Sequence, residues 1–113
     1  MHQYSHFVDG KQSDLPLGKI VCVGRNYAAH ARELNNPLPT SPVLFIKPST
    51  ALAAINSEII VPTALGECHF ETEMSLLIGK KLINCGEDEA ARAITGVGLS
   101  LDLTLRDIQQ DLK

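Results

Sequence analysis

Apolar side chains alternate strictly with polar or small ones between Val97 and Arg106. Because successive side chains of a β-strand point to opposite faces, this alternation predicts a half-buried strand with Asp102 on its polar face. The end of the pattern, Thr104 to Asp107, has the spacing of a capping box. We therefore expect the strand to end near Leu103, with Thr104 as the N-cap of a helix that continues through residues 108–112.

The composition predicts one compact domain, because 113 residues with 44% hydrophobic content can bury an ordinary core. A net charge of −3, with 4% aromatic residues and no basic cluster, argues against a nucleic-acid partner. The apolar runs are too short for a membrane span, and the amino terminus lacks the features of a secretion signal. Three cysteines fit neither a C-x-x-C pair nor a disulfide framework, so we expect a cytoplasmic protein with reduced thiols.

Other segments have recognisable secondary-structure signals. Short apolar runs predict a buried strand at 19–23 and a second strand at 43–46. An Ala- and Glu-rich stretch predicts a helix at 87–93. Residues 1–18 form a polar lead-in, with a short strand at 4–8 and a turn at Asp9-Gly10.

A further helix is predicted from Tyr27 to Leu34, with Asn26 as its N-cap and Pro37 beyond its end. It carries His30 and Glu33 three residues apart, on one face. By itself that spacing favours an exposed side-chain pair, and the alternative is a catalytic pair. In the catalytic interpretation this short helix acts as a mobile lid over a substrate.

Two carboxylates, Glu71 and Glu73, are separated by one residue in a stretch that also predicts a strand. On a strand they share a face, about 7 Å apart between Cβ atoms, and they repel each other unless a cation lies between them. The alternative is a solvated strand face with two charges. If Asp102 joins them, three oxygen ligands without His or Cys favour Mg²⁺ or Mn²⁺ over Ca²⁺.

Such a site suits a small 2-oxo acid, which chelates a metal ion through its carboxylate and keto oxygens. The ion then acts as a Lewis acid that stabilises an enolate. Three carboxylates with one dication carry a net charge of −1, so an anionic substrate needs cationic help, for which Arg106 and Lys47 are candidates. His30, oriented by Glu33, is a candidate base, because imidazole accepts protons near neutral pH.

Four motifs occur in one order along the chain: GRNY at 24–27 followed by His30 and Glu33, FIKPST at 45–50, HFETE at 69–73, and LDLTLRD at 101–107. Together they resemble the fumarylacetoacetate hydrolase family, from about Lys19 to the last residue. The small members of that family include acylpyruvate hydrolases, oxaloacetate decarboxylases or tautomerases, and isomerase/decarboxylases of aromatic-acid catabolism.

The resemblance implies an α+β, mainly β fold, a mixed β-roll or sandwich of the family's type. It implies Mg²⁺ (or Mn²⁺) on Glu71, Glu73 and Asp102, and a catalytic His30–Glu33 pair on the lid helix. It also implies a set of side chains that contact the substrate, namely Arg25, Lys47, Arg106 and Gln109.

Domains of this family are roughly twice this length. Residues 19–113 therefore resemble the amino-terminal half of a catalytic domain, without the family's later active-site lysine and the strands that complete the roll. A second copy in a homodimer, or the missing carboxy-terminal half, is the expected partner. Two functions stay open: a Mg²⁺-dependent hydrolase, decarboxylase or isomerase of small 2-oxo acids such as acylpyruvates or oxaloacetate, or a non-catalytic half-domain that binds metal or dimerises.

Overall fold

The computed structural model describes residues 4–26 and 40–113, which are mainly β-strand with a small helical content. The strands are β1 Phe7–Val8, β2 Lys11–Gln12, β3 Ile20–Gly24, β4 Val43–Lys47, β5 Cys68–Ile78 and β6 Ile94–Leu105. The helices are α1 Glu87–Arg92 and α2 Arg106–Asp111, and single 3₁₀ turns lie at Ser49–Ala51 and Thr63–Leu65. The helix predicted for residues 27–34 lies outside the described residues.

The chain divides into two compact units, residues 1–5 with 16–52 and residues 6–15 with 53–113. In the first unit, β3 pairs antiparallel with β4, from Ile20 opposite Lys47 to Gly24 opposite Val43. These strands confirm the predictions for 19–23 and 43–46 to within one residue. The second unit contains two antiparallel pairs, β1 with β2 and β5 with β6.

A two-residue turn at Asp9-Gly10 connects β1 to β2, since Val8 pairs directly with Lys11. Both turn residues have positive φ, 52° for Asp9 and 77° for Gly10, as a type I′ turn requires. The predicted turn is confirmed, whereas the predicted strand at 4–8 is limited to its last two residues.

The β5–β6 pair is the largest element of the second unit and runs from Cys68 opposite Leu105 to Ile78 opposite Ile94. A bulge between Leu77 and Ile78 shifts the register at the end near the connection. That connection contains α1, which confirms the predicted helix, and the Gly79 N–H donates to the Ala93 carbonyl at 2.8 Å.

The transition from β6 to α2 corrects the prediction that the strand ends near Leu103 with Thr104 as N-cap. Thr104 is still paired, with His69, and the strand continues to Leu105. Leu105 is the N-cap residue and makes no side-chain capping bond. The Arg106 N–H instead donates to the Glu67 carbonyl at 3.1 Å, so the ladder with β5 extends beyond Thr104, the predicted N-cap.

The predictions of an ordinary core and of a buried strand at 19–23 are wrong. Among the described residues, Ala93 is the single buried hydrophobic side chain, at 2% exposure, and Val21 and Val23 are exposed. The physical reason is that each described sheet has only two strands, too few to enclose an apolar layer. The apolar face of β6, predicted to be buried, is likewise exposed at Val97, Leu99 and Leu101.

Cys22, Cys68 and Cys85 form no disulfide. No helix within residues 4–26 or 40–113 has the length and apolar character needed to cross a membrane.

Gly66 lies in the loop before β5, close to the Asp107 side chain of α2. Its φ of 90° and ψ of −163° lie in a region open essentially to glycine, and a Cβ there would overlap the Asp107 carboxylate. We expect Gly66→Ala to lower the free energy of unfolding by about 1–3 kcal/mol. Urea denaturation followed by circular dichroism measures this loss.

Gly98→Ala is the matched control, because nothing lies within 4 Å of a Cβ at Gly98 and its φ is not in the left-handed region. Removing a glycine from a strand interior is expected to be neutral or stabilising there, by about 0.5–1 kcal/mol at most. Equal losses for the two variants would show that the Gly66 conformation is not a constraint on the fold.

Candidate active site

The register of β5 and β6 places three predicted metal ligands on one face of the strand pair. Glu71 lies directly opposite Asp102, and Glu73 lies opposite Ser100. Directly opposed residues of antiparallel strands share a face, with Cβ atoms about 4.5–5.5 Å apart, and diagonal neighbours are about 7–8 Å apart. Glu73 is such a diagonal neighbour of Asp102, so the backbone brings all three carboxylates into one neighbourhood.

The backbone positions alone do not fix where the carboxylate groups of these side chains lie. Across residues 4–26 and 40–113, no three His, Cys, Asp or Glu side chains are grouped in a way that could hold a metal ion. The shared face is therefore a property of the strand register, and a closed set of ligands is not part of this conformation. The metal set itself stays a prediction.

Arg106 approaches the same face because α2 begins immediately after β6. Its Nη2 lies 3.5 Å from Glu71 Oε1, and its Nη1 donates to Gln109 Oε1 at 2.8 Å. The arginine side chain is 22% exposed and the glutamate 37%, so the pair is partly screened from water. This hydrogen bond joins Arg106 to Gln109, which lies one helical turn further along α2.

His69 is a neighbour of Arg106 to which the sequence interpretation assigned no role. Arg106 Nε donates to His69 Nδ1 at 3.4 Å, and His69 Nε2 lies 3.0 Å from Glu67 Oε2. An arginine Nε always carries hydrogen, so Nδ1 accepts and Nε2 is the protonated nitrogen that donates to Glu67. The signal was present in the sequence, because residues 69, 71 and 73 alternate onto one strand face.

The formal charges on this face explain why a cation is expected there. Glu71, Glu73 and Asp102 contribute −3 and Arg106 contributes +1, which leaves −2 for the four side chains. Arg106 balances Glu71 directly, since it is the guanidinium that contacts this carboxylate. A net negative charge favours a cation at this face, and oxygen donors are the ligands that Mg²⁺ prefers.

The other predicted site residues lie elsewhere in the chain. Arg25 and Lys47 belong to the first unit, where Lys47 is the last residue of β4 and Arg25 follows β3. Arg25 has a φ of 52°, an uncommon backbone conformation for a side chain of its size. His30 and Glu33 lie outside the described residues. The substrate and catalytic roles of these four residues stay predictions.

Comparison with known proteins identifies the class of protein to which these elements belong. Residues 19–113 match the family model described as fumarylacetoacetate hydrolase, C-terminal. The chain therefore belongs to the fumarylacetoacetate hydrolase family, which confirms the resemblance drawn from its four motifs.

Individual relatives give the extent of the similarity. The chain is 44% identical over 113 residues to an oxaloacetate tautomerase of Escherichia coli, covering 100% of this chain and 51% of that protein. It is 45% identical over 94 residues to a mitochondrial oxaloacetate tautomerase of Bos taurus, covering 83% of this chain and 42% of that protein. The chain thus spans about half the length of these curated relatives.

A solved structure supports the fold over nearly the whole of this chain. It comes from Oleispira antarctica and is provisionally described as a fumarylacetoacetate isomerase/hydrolase. It is 47% identical and superposes with a TM-score of 0.92, covering 97% of this chain and 49% of that one. The described strands are therefore those of a fumarylacetoacetate hydrolase-type fold.

The hydrogen bonds of His69 determine which of its two ring nitrogens carries the proton in the neutral ring. At alkaline pH, where imidazole is neutral, nitrogen-15 NMR should show His69 protonated at Nε2. Arg106→Gln should increase the population protonated at Nδ1, because the donor that faces Nδ1 is lost.

Arg92→Gln removes the same charge from the last turn of α1 and serves as the control. It should leave the His69 spectrum unchanged. A parent protein with Nδ1 predominantly protonated, or the same change in both variants, would contradict the assigned hydrogen bonds.

Proposed function

We propose that this chain is part of a Mg²⁺-dependent enzyme that acts on small 2-oxo acids, with oxaloacetate as the leading substrate. The reaction class is tautomerisation, and decarboxylation of oxaloacetate or hydrolysis of an acylpyruvate is the alternative use of the same site. The complete domain is proposed to be the family's mixed β-roll, and a cytoplasmic location is part of the same proposal.

One observation carries this proposal more than any other: Glu71 and Asp102 lie directly opposite each other on β5 and β6, with Glu73 on the same face. Family membership adds that a relative with 44% identity is named an oxaloacetate tautomerase. A structural strand pair has no need of three adjacent carboxylates, since like charges placed across strands are destabilising.

The donor set fits a hard divalent cation. Glu71, Glu73 and Asp102 are the residues that hold it in this proposal, and Mn²⁺ is the alternative ion because it accepts the same oxygen ligands. When bound, the ion supplies Lewis acidity, which stabilises negative charge on the oxygens of a chelated 2-oxo acid.

The remaining side chains bind the substrate and move its proton. Arg106, held by Gln109 at 2.8 Å, offers its guanidinium to a substrate carboxylate, which Arg25 and Lys47 are proposed to contact as well. His30 takes a proton from the carbon beside the keto group and delivers it to the keto oxygen, which converts the keto form to the enol. Glu33 orients the other nitrogen of His30.

Removal of single carboxylates tests the proposed metal site. We expect Glu71→Gln, Glu73→Gln and Asp102→Asn each to weaken Mg²⁺ binding by more than about tenfold, because even outer partners of metal ligands are worth about 10–100-fold. Calorimetric titration with Mg²⁺ and with Mn²⁺ measures the affinity.

Glu67→Gln is the matched control, since Glu67 is an exposed glutamate near the site that bonds His69 and is no proposed ligand. It should leave the affinity unchanged. Equal effects of Glu67→Gln and Glu71→Gln would show only a general loss of negative charge, and no effect of any variant would remove the metal site from the proposal.

The role of His30 is tested by separating catalysis from metal binding. These measurements use the chain extended by the half of the Escherichia coli relative that it does not match, with oxaloacetate and acylpyruvates assayed with and without EDTA. We expect His30→Ala to lower turnover by about 10²–10⁴-fold, the usual contribution of a positioned acid or base, with Mg²⁺ affinity unchanged. A parallel loss of Mg²⁺ affinity would make His30 a ligand or a structural residue.

The second candidate function is a non-catalytic half-domain that binds metal or dimerises. Its support is the near absence of buried apolar side chains among the described residues. Mg²⁺ binding without turnover of any 2-oxo acid by the extended chain would favour this alternative.

A further inference from the structure

The side chain of Arg106 lies along the start of β5, and the order of its contacts follows the order of residues there. Its backbone N–H donates to the Glu67 carbonyl, its Nε donates to His69 Nδ1 at 3.4 Å, and its Nη2 lies 3.5 Å from Glu71 Oε1. Residues 67, 69 and 71 alternate onto one face of an extended chain. The arginine side chain therefore runs past His69 towards the carboxylates.

Three acceptors surround the guanidinium. Nε donates to His69, Nη1 donates to Gln109 Oε1 at 2.8 Å, and Nη2 faces Glu71. The contacts with His69 and Glu71, at 3.4 and 3.5 Å, are longer than a typical hydrogen bond, so neither of them fixes the group alone. Because three separate points define a plane, the three contacts together restrict rotation of the guanidinium.

This arrangement leaves part of the guanidinium for a ligand. An arginine carries one N–H on Nε and two on each terminal nitrogen. The three contacts use one N–H of each nitrogen, so Nη1 and Nη2 each keep one that has no acceptor within the described part of the chain. A carboxylate binds arginine through two such N–H groups.

His69 differs from the other two acceptors because it is held from outside the metal site. Its Nε2 lies 3.0 Å from the carboxylate of Glu67, whose side chain is 83% exposed. With Nε2 donating to Glu67, Nδ1 carries the lone pair that accepts from Arg106. Glu71 is a proposed ligand of the cation, and Gln109 belongs to the same helix as Arg106. His69 is thus the acceptor that joins the guanidinium to β5 without taking part in metal binding.

We propose that His69 is a positioning residue of the active site, which fixes the Arg106 guanidinium so that its two remaining N–H groups face a substrate carboxylate. His69 itself neither touches the substrate nor transfers a proton. Its role requires only the acceptor at Nδ1, which Glu67 maintains by accepting from Nε2. This inference rests on the proposed function, in which Arg106 binds a carboxylate of a 2-oxo acid.

Three substitutions of His69 separate its acceptor from the rest of the side chain. His69→Asn places an amide oxygen two bonds from Cβ, as Nδ1 is, whereas His69→Gln places it three bonds from Cβ, as Nε2 is. His69→Phe keeps a ring and has no acceptor. The side chain is 44% exposed, so we expect all three variants to fold, which circular dichroism checks.

Kinetics of the extended chain with Mg²⁺ and oxaloacetate measure the effect. We expect His69→Phe and His69→Gln to raise KM by about tenfold or more, because a hydrogen bond to a charged group is worth about this factor. The value of kcat should stay within about twofold, since binding that is equal in the ground state and the transition state affects KM alone. His69→Asn should restore KM. His6→Phe makes the same change in the segment before β1 and should alter neither constant.

A second readout needs neither substrate nor turnover. Nitrogen-15 NMR follows the exchange of the Arg106 Nε–H with water, and Arg106→Lys identifies its signal. Exchange should be slow in the parent and in His69→Asn, and faster in His69→Phe and His69→Gln, because a hydrogen-bonded N–H is protected.

Failure of the proposed reaction is distinguishable from failure of this inference. If the extended parent turns over no 2-oxo acid, the reaction fails, and calorimetric binding of oxalate in the presence of Mg²⁺ replaces KM. Tighter binding by the parent and His69→Asn than by His69→Phe and His69→Gln would then support the positioning role. Equal affinities, or no binding of oxalate by the parent, would overturn it.

Three further results would overturn the proposal. The first is a KM for His69→Phe equal to that of the parent, or an equal rise in KM for His69→Asn and His69→Phe. The second is a loss of kcat without a change in KM, which would place His69 in the chemical step. The third is an exchange rate of the Arg106 Nε–H that does not respond to substitution of His69.

Discussion

The antiparallel register of β5 and β6 is the constraint on which the candidate site depends. It sets Glu71 against Asp102 and Glu73 against Ser100, so three carboxylates share one face without any contribution from a loop. A slip of one residue in either strand would move its carboxylates to the opposite face of the strand pair, because the side-chain period of a strand is two. The bulge at Leu77/Ile78 and the buried Ala93 both lie at the end of the pair where the α1 connection joins the two strands.

The opposite end of the strand pair supplies a positively charged side chain, Arg106. β6 passes into α2 without an intervening loop, so Arg106 follows directly after the last paired residue and reaches back towards Glu71. The bond from the Arg106 N–H to the Glu67 carbonyl holds this junction, and the Asp107 side chain lies close to Gly66. The segment before β5 thus fixes the position of the arginine, and it also provides Glu67 as the partner of His69.

The distribution of exposure links this site to the rest of the family fold. A pair of long strands with carboxylates on one face and aliphatic side chains on the other is stable only when the aliphatic face is covered. Within the described residues that covering is missing, and the matched relatives have about twice the length of this chain. The same strand pair must therefore hold its carboxylates in place on one face and have its aliphatic face covered.

The sequence by itself determined the secondary-structure elements β5, β6 and α1 and the Asp9-Gly10 turn. It also determined that Glu71 and Glu73 share a face, and to which family the chain belongs. These follow from local periodicity and from motif spacing, which depend on near neighbours in the chain. The tertiary structure decided which face is exposed to solvent, how far β6 continues, and that His69 joins Arg106. Periodicity shows which side chains share a face, but water exposure depends on distant segments that pack there. The ladder with β5 overrode the capping signal at Thr104 because pairing across strands satisfies the same backbone groups that a cap would.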